Sequence, residues 1–388
     1  MNNLTQIAVV SALNFRNLRH RFWQSLVVVA GMAAVSGVLL SMLSVTDGMH
    51  SAYLTNGDPR NVIVVSHNAI HEGNSAIPRD QARIVMNQVA IATAPDGTPL
   101  SDAEFTTGIP VTLKKSGATG FIRIHTFGKM GPALQPNFHL VAGRMFHPGT
   151  RELIVGHQAQ TKFKAMTVGG KVILPSGQWP IVGMFATGDL LDGVLVGDTE
   201  TVMQAMRHND YNTVLARLAS PDNFAAFRKA LRANPTLVVD TMPLPDWNRM
   251  TSDQTTAFFH VLVYGVGIIL AVGALFGCFN TMYAAVESRG REIATLRALG
   301  YGAIPVALSV ILEAAALSVS GALIGAAIAW SLYDGVQGDM GSDFFKLAVS
   351  PAMIGMAVLW AIGVAFFGGL LPSIKATRLP IAMALRAT

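Results

Sequence analysis

Glu313 is the one ionisable side chain in the apolar run of residues 303–332. A carboxyl group at that depth in a membrane needs a partner, a proton or water. A proton relay would use such a group, but relays gather further buried carboxylates or histidines, and only His260, near the outer end of the preceding apolar run, is at hand. Glu313 also lies only about ten residues into its run from the side of the charged segment, so it can hydrogen-bond a neighbouring helix end. The reading taken is a structural or coupling role. On that reading Glu313→Gln keeps much of the activity and Glu313→Leu loses it.

Other residues with chemical potential are less well placed. His67 and His71 stand at i,i+4, a spacing that would offer two imidazoles to one metal on a helix. They follow the strand-like Asn61-Val62-Ile63-Val64-Val65 and run into Glu72-Gly73-Asn74, so the segment reads as a loop with Glu72 as the sole adjacent extra ligand. No metal site is assigned. Gly169-Gly170-Lys171-Val172 has neither the spacing nor the hydroxyl of a phosphate-binding loop, and no H-E-x-x-H or G-x-S-x-G occurs. No catalytic residue and no cofactor is assigned, and the chain reads as a non-enzyme.

The strongest positional signal is Glu287-Ser288-Arg289-Gly290-Arg291-Glu292-Ile293-Ala294-Thr295-Leu296-Arg297-Ala298-Leu299-Gly300, which sets charge and helix formers between two apolar runs. Ile293, Leu296 and Leu299 recur at near-helical spacing, Glu287 and Arg291 stand at i,i+4, and Gly300 supplies a left-handed stop. This predicts a short amphipathic helix over residues 287–300 at a membrane surface, able to dock a cytoplasmic partner. The plainer alternative is a charged loop that obeys membrane topology rules.

The elements that must carry these residues follow from composition. The chain has 388 residues, 51% hydrophobic and 13% charged, outside the usual range of soluble proteins. Four runs reach the length of about 20 residues that crosses a bilayer: 24–46, 257–286, 303–332 and 351–371. The first is too long for a signal peptide's apolar core and reads as an uncleaved span. Residues 1–23 carry a stripe of period near 3.6 that includes Leu4, Ile7, Ser11, Phe15, Leu18 and Phe22. They read as an amphipathic helix on the inner membrane face or as an extension of the first span.

Basic residues in short flanks set the orientation. Arg16, Arg19 and Arg21 precede the first span, Arg289, Arg291 and Arg297 lie between the second and third, and Lys375, Arg378 and Arg386 follow the fourth. All three groups belong in the cytoplasm. The third loop has Lys346 against Asp334, Asp339 and Asp343 and belongs outside with residues 47–256. The external segment 47–253 carries 18 basic and 17 acidic residues, so it lacks the basic face that nucleic acid requires. Its size is enough to bury a core without disulfides, and the one cysteine, Cys278, lies in the second span.

Within the external segment, strand-like runs at Asn61-Val62-Ile63-Val64-Val65, Gly120-Phe121-Ile122-Arg123-Ile124-His125, Glu152-Leu153-Ile154-Val155, Lys171-Val172-Ile173-Leu174 and Trp179-Pro180-Ile181-Val182 alternate with helical stretches at 79–89, 199–207 and 221–232. The fold class is thus a membrane α-helical protein with four transmembrane helices and a large extracytoplasmic mixed α/β domain, in two subdomains, between the first two spans. In the third span Gly321 and Gly325 form a Gly-x-x-x-Gly pair that lets another helix approach, and Gly363, Gly368 and Gly369 suggest tight packing in the fourth. Simple tolerance of small residues in membrane helices is the other reading.

This order of elements resembles the FtsX/MacB/LolC-E class of ABC-transporter permeases. Residues 287–300 are similar to that family's cytoplasmic coupling helix. Further likeness lies in Leu312-Glu313-Ala314 with Gly321 and Gly325, in Lys375-Ala376-Thr377-Arg378-Leu379-Pro380-Ile381-Ala382-Met383-Ala384-Leu385-Arg386, and in Asn14-Phe15-Arg16-Asn17-Leu18-Arg19-His20-Arg21. Gly143-Arg144-Met145-Phe146, Glu152-Leu153-Ile154-Val155-Gly156 and Trp179-Pro180-Ile181-Val182-Gly183-Met184-Phe185 resemble the MacB-type periplasmic core domain.

The resemblance implies that 257–388 is an FtsX-like permease domain and that Glu287, Arg289, Arg291, Glu292, Ile293, Leu296 and Arg297 couple it to an ATPase. MacB itself carries its nucleotide-binding domain on the same chain, whereas this sequence has no phosphate-binding loop, so the ATPase is expected as a separate cytoplasmic subunit binding ATP and Mg. The implied function is a mechanotransmission permease of the bacterial inner membrane, exporting or extracting an envelope substrate by tripartite efflux or lipoprotein and lipid export. Expected partners are the ATPase, a second permease copy or homologue, membrane lipids, and a periplasmic adaptor or outer-membrane component. The alternative is a non-transporting signalling subunit that activates a cell-wall hydrolase or a stress response.

Overall fold

Residues 22–54 stay helical because the run is mostly apolar and free of proline, and this helix is the second of eleven α-helices among the described residues of the computed structural model. The structure describes residues 3–17, 22–55, 57–340 and 343–378. Leu18, Arg19, His20, Arg21, Asn56 and the segment 379–388 with Arg386, all used in the sequence reading, lie outside the described residues. In chain order the first elements are α1 (Asn3–Asn17), α2 (Phe22–Leu54), β1 (Asn61–Ser66), α3 (Arg79–Met86), β2 (Ser101–Glu104), β3 (Thr106–Thr112) and β4 (Thr119–Phe127). Next come α4 (Gly131–Leu134), β5 (His139–Gly143), β6 (Leu153–Gly156), α5 (Ala159–Lys162), β7 (Lys171–Leu174), β8 (Gly177–Ala186) and β9 (Leu195–Asp198). The remainder are α6 (Thr199–Met206), β10 (Thr213–Arg217), α7 (Phe224–Ala233), β11 (Val239–Pro243), α8 (Leu244–Ser288), α9 (Gly290–Ala298), α10 (Ala303–Tyr333), β12 (Gln337–Met340), β13 (Asp343–Lys346) and α11 (Pro351–Arg378).

The chain divides into a helical unit, residues 1–47, 258–336 and 347–388, and an α/β unit, residues 48–257 and 337–346. Among the described residues α2, α8, α10 and α11 are long and apolar enough to cross a membrane, in agreement with the four spans read from composition. In the helical unit α1 is an element of its own that packs on α10, and the Gln6 side-chain oxygen accepts the Gly302 N–H at 3.0 Å, just before α10 begins.

Small residues decide how closely these helices approach. A Cβ built on Gly321 would stand 2.5 Å from the Val29 carbonyl oxygen of α2, and one on Gly325 would stand 2.3 Å from that of Ala33. No side chain fits there, so the Gly-x-x-x-Gly pair is where α10 meets α2 backbone to backbone. Gly368 of α11 lies less tightly against Cys278 of α8, with 3.0 Å from its built Cβ to the cysteine Cβ. Gly369 makes ordinary contacts with α10, and Gly363 meets nothing within 4 Å.

The α/β unit holds a four-stranded sheet, β11-β1-β10-β2, antiparallel throughout, and a seven-stranded mixed sheet, β3-β4-β9-β6-β8-β5 with β7 on β8. One apolar core runs through both, joining Val62 and Val64 of β1, Ile122 and Ile124 of β4, Leu153 and Val155 of β6, and Phe227 and Leu231 of α7. β1 is apolar at consecutive positions because both its faces are buried. Ile63 and Val65 pack with Trp247 of α8 on the other side. The hairpin β12–β13 belongs to this unit although its residues fall between the third and fourth spans. Arg123 pairs with Asp343 and Lys162 with Asp339, while Phe344 and Phe345 are buried.

Candidate functional site

The turn between α8 and α10 is built around Arg289. Its backbone N–H still donates to Ala285 and Val286 at the end of α8, and its carbonyl accepts from Ile293 at 2.9 Å, opening α9. Its own backbone has left the helical range (φ −100°, ψ 11°), so α9 starts at Gly290 and Glu287 and Ser288 remain on α8. The side chain turns inward. Nη1 donates to Glu313 Oε2 at 2.6 Å and Nη2 to Oε1 at 2.9 Å, a bidentate pair in which both residues are about 4% exposed. The partner that Glu313 needs is therefore a guanidinium from the neighbouring turn. Planar, permanently charged arginine suits this two-pronged grip better than lysine would.

Ile293 completes the anchor. It is buried with Met282 and Val286 of α8 and Val306, Val310 and Ala314 of α10. At the far end Leu299 N–H bonds to Thr295, Gly300 N–H to Arg297 and Tyr301 N–H to Leu296, and Gly300 takes φ +94°. That pair of bonds around a left-handed glycine is a Schellman stop, which fixes where α9 ends.

The residues predicted for coupling sort into three groups. Arg289 and Ile293 face inward and hold the helix; Leu296 and Arg297 are half-buried, with Arg297 donating to the Thr377 carbonyl of α11. Glu287, Arg291 and Glu292 are exposed. Glu287 accepts a 2.6 Å bond from Lys375 Nζ, and that ammonium also lies 3.8 Å from the centre of the Tyr283 ring. Arg291, Glu292, Thr295 and Leu299 share the exposed face of α9, with Leu299 72% and neighbouring Ile304 66% exposed. This is a charged rim around two apolar side chains, presented on a helix held from behind at three points.

Sequence reasoning missed the Arg289–Glu313 pairing and the roles of Lys375 and Thr377. An arginine at one helix end and a lone glutamate in the third turn of the next helix were the available signal. His67 of the other pair is bound at 3.0 Å to Asp240, and among the described residues no three of His, Cys, Asp and Glu gather as a metal cage.

In the α/β unit the three segments similar to a periplasmic core domain converge. Arg144 Nη1 and Nη2 donate to Glu152 at 2.7 and 2.6 Å, and these bonds hold the Glu152 carboxyl down at about 2. Gly183 packs against the Arg144 backbone, where a built Cβ would come within 2.1 Å of its carbonyl oxygen.

Comparison with known proteins gives two family matches: residues 25–234 fit the MacB-like periplasmic core domain and residues 264–381 the FtsX-like permease C-terminal domain. Among solved structures, the extracellular domain of the noncanonic ABC-type transporter YknZ from Gram-positive bacteria aligns at 13% identity over 47% of this chain and 99% of that one, with a TM-score of 0.36. No curated protein matches.

Proposed function

Because the chain belongs to the family of FtsX-like permeases with a MacB-like periplasmic core domain, we propose that it is the membrane subunit of an ATP-driven mechanotransmission transporter. The family makes it a multi-pass inner-membrane protein whose α/β unit is periplasmic, and implies a cytoplasmic ABC ATPase as partner. With residues 48–257 outside, α9 faces the cytoplasm. The ATPase, a separate subunit with its own ATP and Mg, docks on the exposed face of α9 around Arg291, Glu292 and Leu299. A second copy or homologue of the chain completes the pair of permeases, and an envelope substrate is exported or extracted.

The observation that carries this reading is the asymmetry of α9. One face is locked to α8, α10 and α11 by Arg289, Ile293 and Arg297, while the other is exposed at Arg291, Glu292 and Leu299. A push on such a helix moves the spans that hold it instead of bending a loop. α2 and α8, helical through Leu54 and from Leu244, are the elements through which motion would reach the periplasmic residues.

The test is reconstitution with the ATPase in lipid nanodiscs. Glu292→Lys and Leu299→Asp each place an unmatched charge in the docking interface. Each should cut permease-stimulated ATP hydrolysis at least tenfold while leaving the thermal stability of the permease within about 0.5 kcal/mol of the parent, as expected for surface positions. Full stimulation in both variants would remove α9 as the docking site.

A further inference from the structure

The α/β unit carries an open-sided cavity of about 440 Å³, within the range of small-molecule sites, between the β3–β4 hairpin, the turn at Asp189 and the first turns of α8. Its wall combines an aromatic, apolar part, Tyr53 and Trp247, with three carboxyl groups, Glu72, Glu104 and Asp189. Two of these acids are more than nine-tenths buried, Glu104 at 5% and Asp189 at 7% exposure, and each keeps one oxygen without a hydrogen-bond partner: Glu104 Oε1 and Asp189 Oδ2. Buried acceptors left unmet are costly, and each calls for a partner.

Two basic side chains at the same wall lie beside acids, although His125 Nε2 itself has no hydrogen-bond partner. Arg123 pairs with Asp343, and His125 Nε2 lies 3.3 Å from the other oxygen of Glu104. Burial raises the carboxyls of Glu72 and Asp189 above their ordinary range, which an incoming positive charge would offset. A bare divalent ion is the weaker candidate, because no three ligating side chains converge among the described residues. An organic cation fits better. Its N–H groups would pair with the carboxylates of Glu104 and Asp189 once those side chains turn toward the cavity, and its apolar body would lie on Trp247 and Tyr53, where aromatic faces also favour positive charge.

We infer that this cavity is a binding site for a small aromatic or amphipathic organic amine, held through Glu104 and Asp189. The inference stands on the periplasmic unit alone and goes beyond the transport reading.

The probe is a charge series of one shape: tryptamine, a cation; tryptophol, neutral; and indole-3-acetate, an anion. Each is titrated calorimetrically into the full chain in a neutral detergent, with empty micelles as the blank. Tryptamine should bind saturably at one site per chain and at least tenfold tighter than either analogue. Glu104→Gln and Asp189→Asn, which keep shape but remove charge, should each weaken tryptamine at least tenfold and leave tryptophol unchanged. The comparison in the unmodified chain stands even if a variant fails to fold. Equal binding of the three compounds, no saturable tryptamine binding, or folded variants with undiminished tryptamine affinity would each overturn the assignment.

Discussion

Arg289, at the junction of α8 and α9, and Glu313, in the third turn of α10, are joined by two parallel hydrogen bonds of 2.6 and 2.9 Å in a buried pair. Sequence alone suggests that glutamine could replace Glu313. The pairing changes that expectation, because glutamine leaves a buried guanidinium without its counter-charge, and Arg289 Nε already lacks a hydrogen-bond partner. Removing one partner of such a pair typically costs about 3–5 kcal/mol. Glu313→Gln and Arg289→Met should each lower thermal stability by that order, whereas the double change Arg289→Met, Glu313→Met should cost clearly less than the sum. Purely additive losses, measured by thermal unfolding in detergent, would show that the two side chains do not act as a unit.

The glycines of α10 make a second prediction. At Gly325 a Cβ would fall 2.3 Å from the backbone of α2, and backbone cannot step aside as a flexible side chain does. Gly325→Val should cost about 1–3 kcal/mol or more by forcing the helices apart. Gly363→Ala, at a position with open space, should change stability by less than about 0.5 kcal/mol. Equal effects at the two sites would mean that α2 and α10 do not meet at Gly325.

Asp102 gives the periplasmic unit a pH dependence. Burial, reinforced by the neighbouring charge of Glu104, pushes its carboxyl up to about 8, although its Oδ2 accepts the Gly128 N–H at 2.7 Å. Between the ordinary carboxyl range and about pH 8, the folded chain holds a proton that the unfolded chain has released. The associated stability is complete below that range and is lost as pH rises through about 8, at up to about 1.4 kcal/mol per pH unit. Denaturant unfolding should therefore show lower stability at pH 8 than at pH 5, and Asp102→Asn should flatten the slope. Stability that rises from pH 5 to pH 8 in the unmodified chain would contradict the placement of this carboxyl.

The spans, the Schellman stop at Gly300 and the strands at β1, β4, β6, β7 and β8 were legible because each depends on local apolar runs or on one glycine. β2 was not, since Ser101-Asp102-Ala103-Glu104 has no strand character and is held in place by β10 and the surrounding core. The β12–β13 hairpin hid for a similar reason. Its Asp339 and Asp343 read as loop charges, while their partners Lys162 and Arg123 lie far away in sequence. In the α9 site the residue types were visible, but which face each would take was not. Arg289 looks like its exposed neighbour Arg291 until Glu313 is seen to draw it inward.

Docking of an ATPase on the exposed face of α9 would be captured by site-specific photocrosslinking in membranes that contain the assembled complex. A photoreactive residue at Arg291 should form an adduct with the ATPase subunit, and one at Gly97, in the periplasmic unit, should form none. An intact complex that yields no ATPase adduct from Arg291, or yields one from Gly97, would contradict the account.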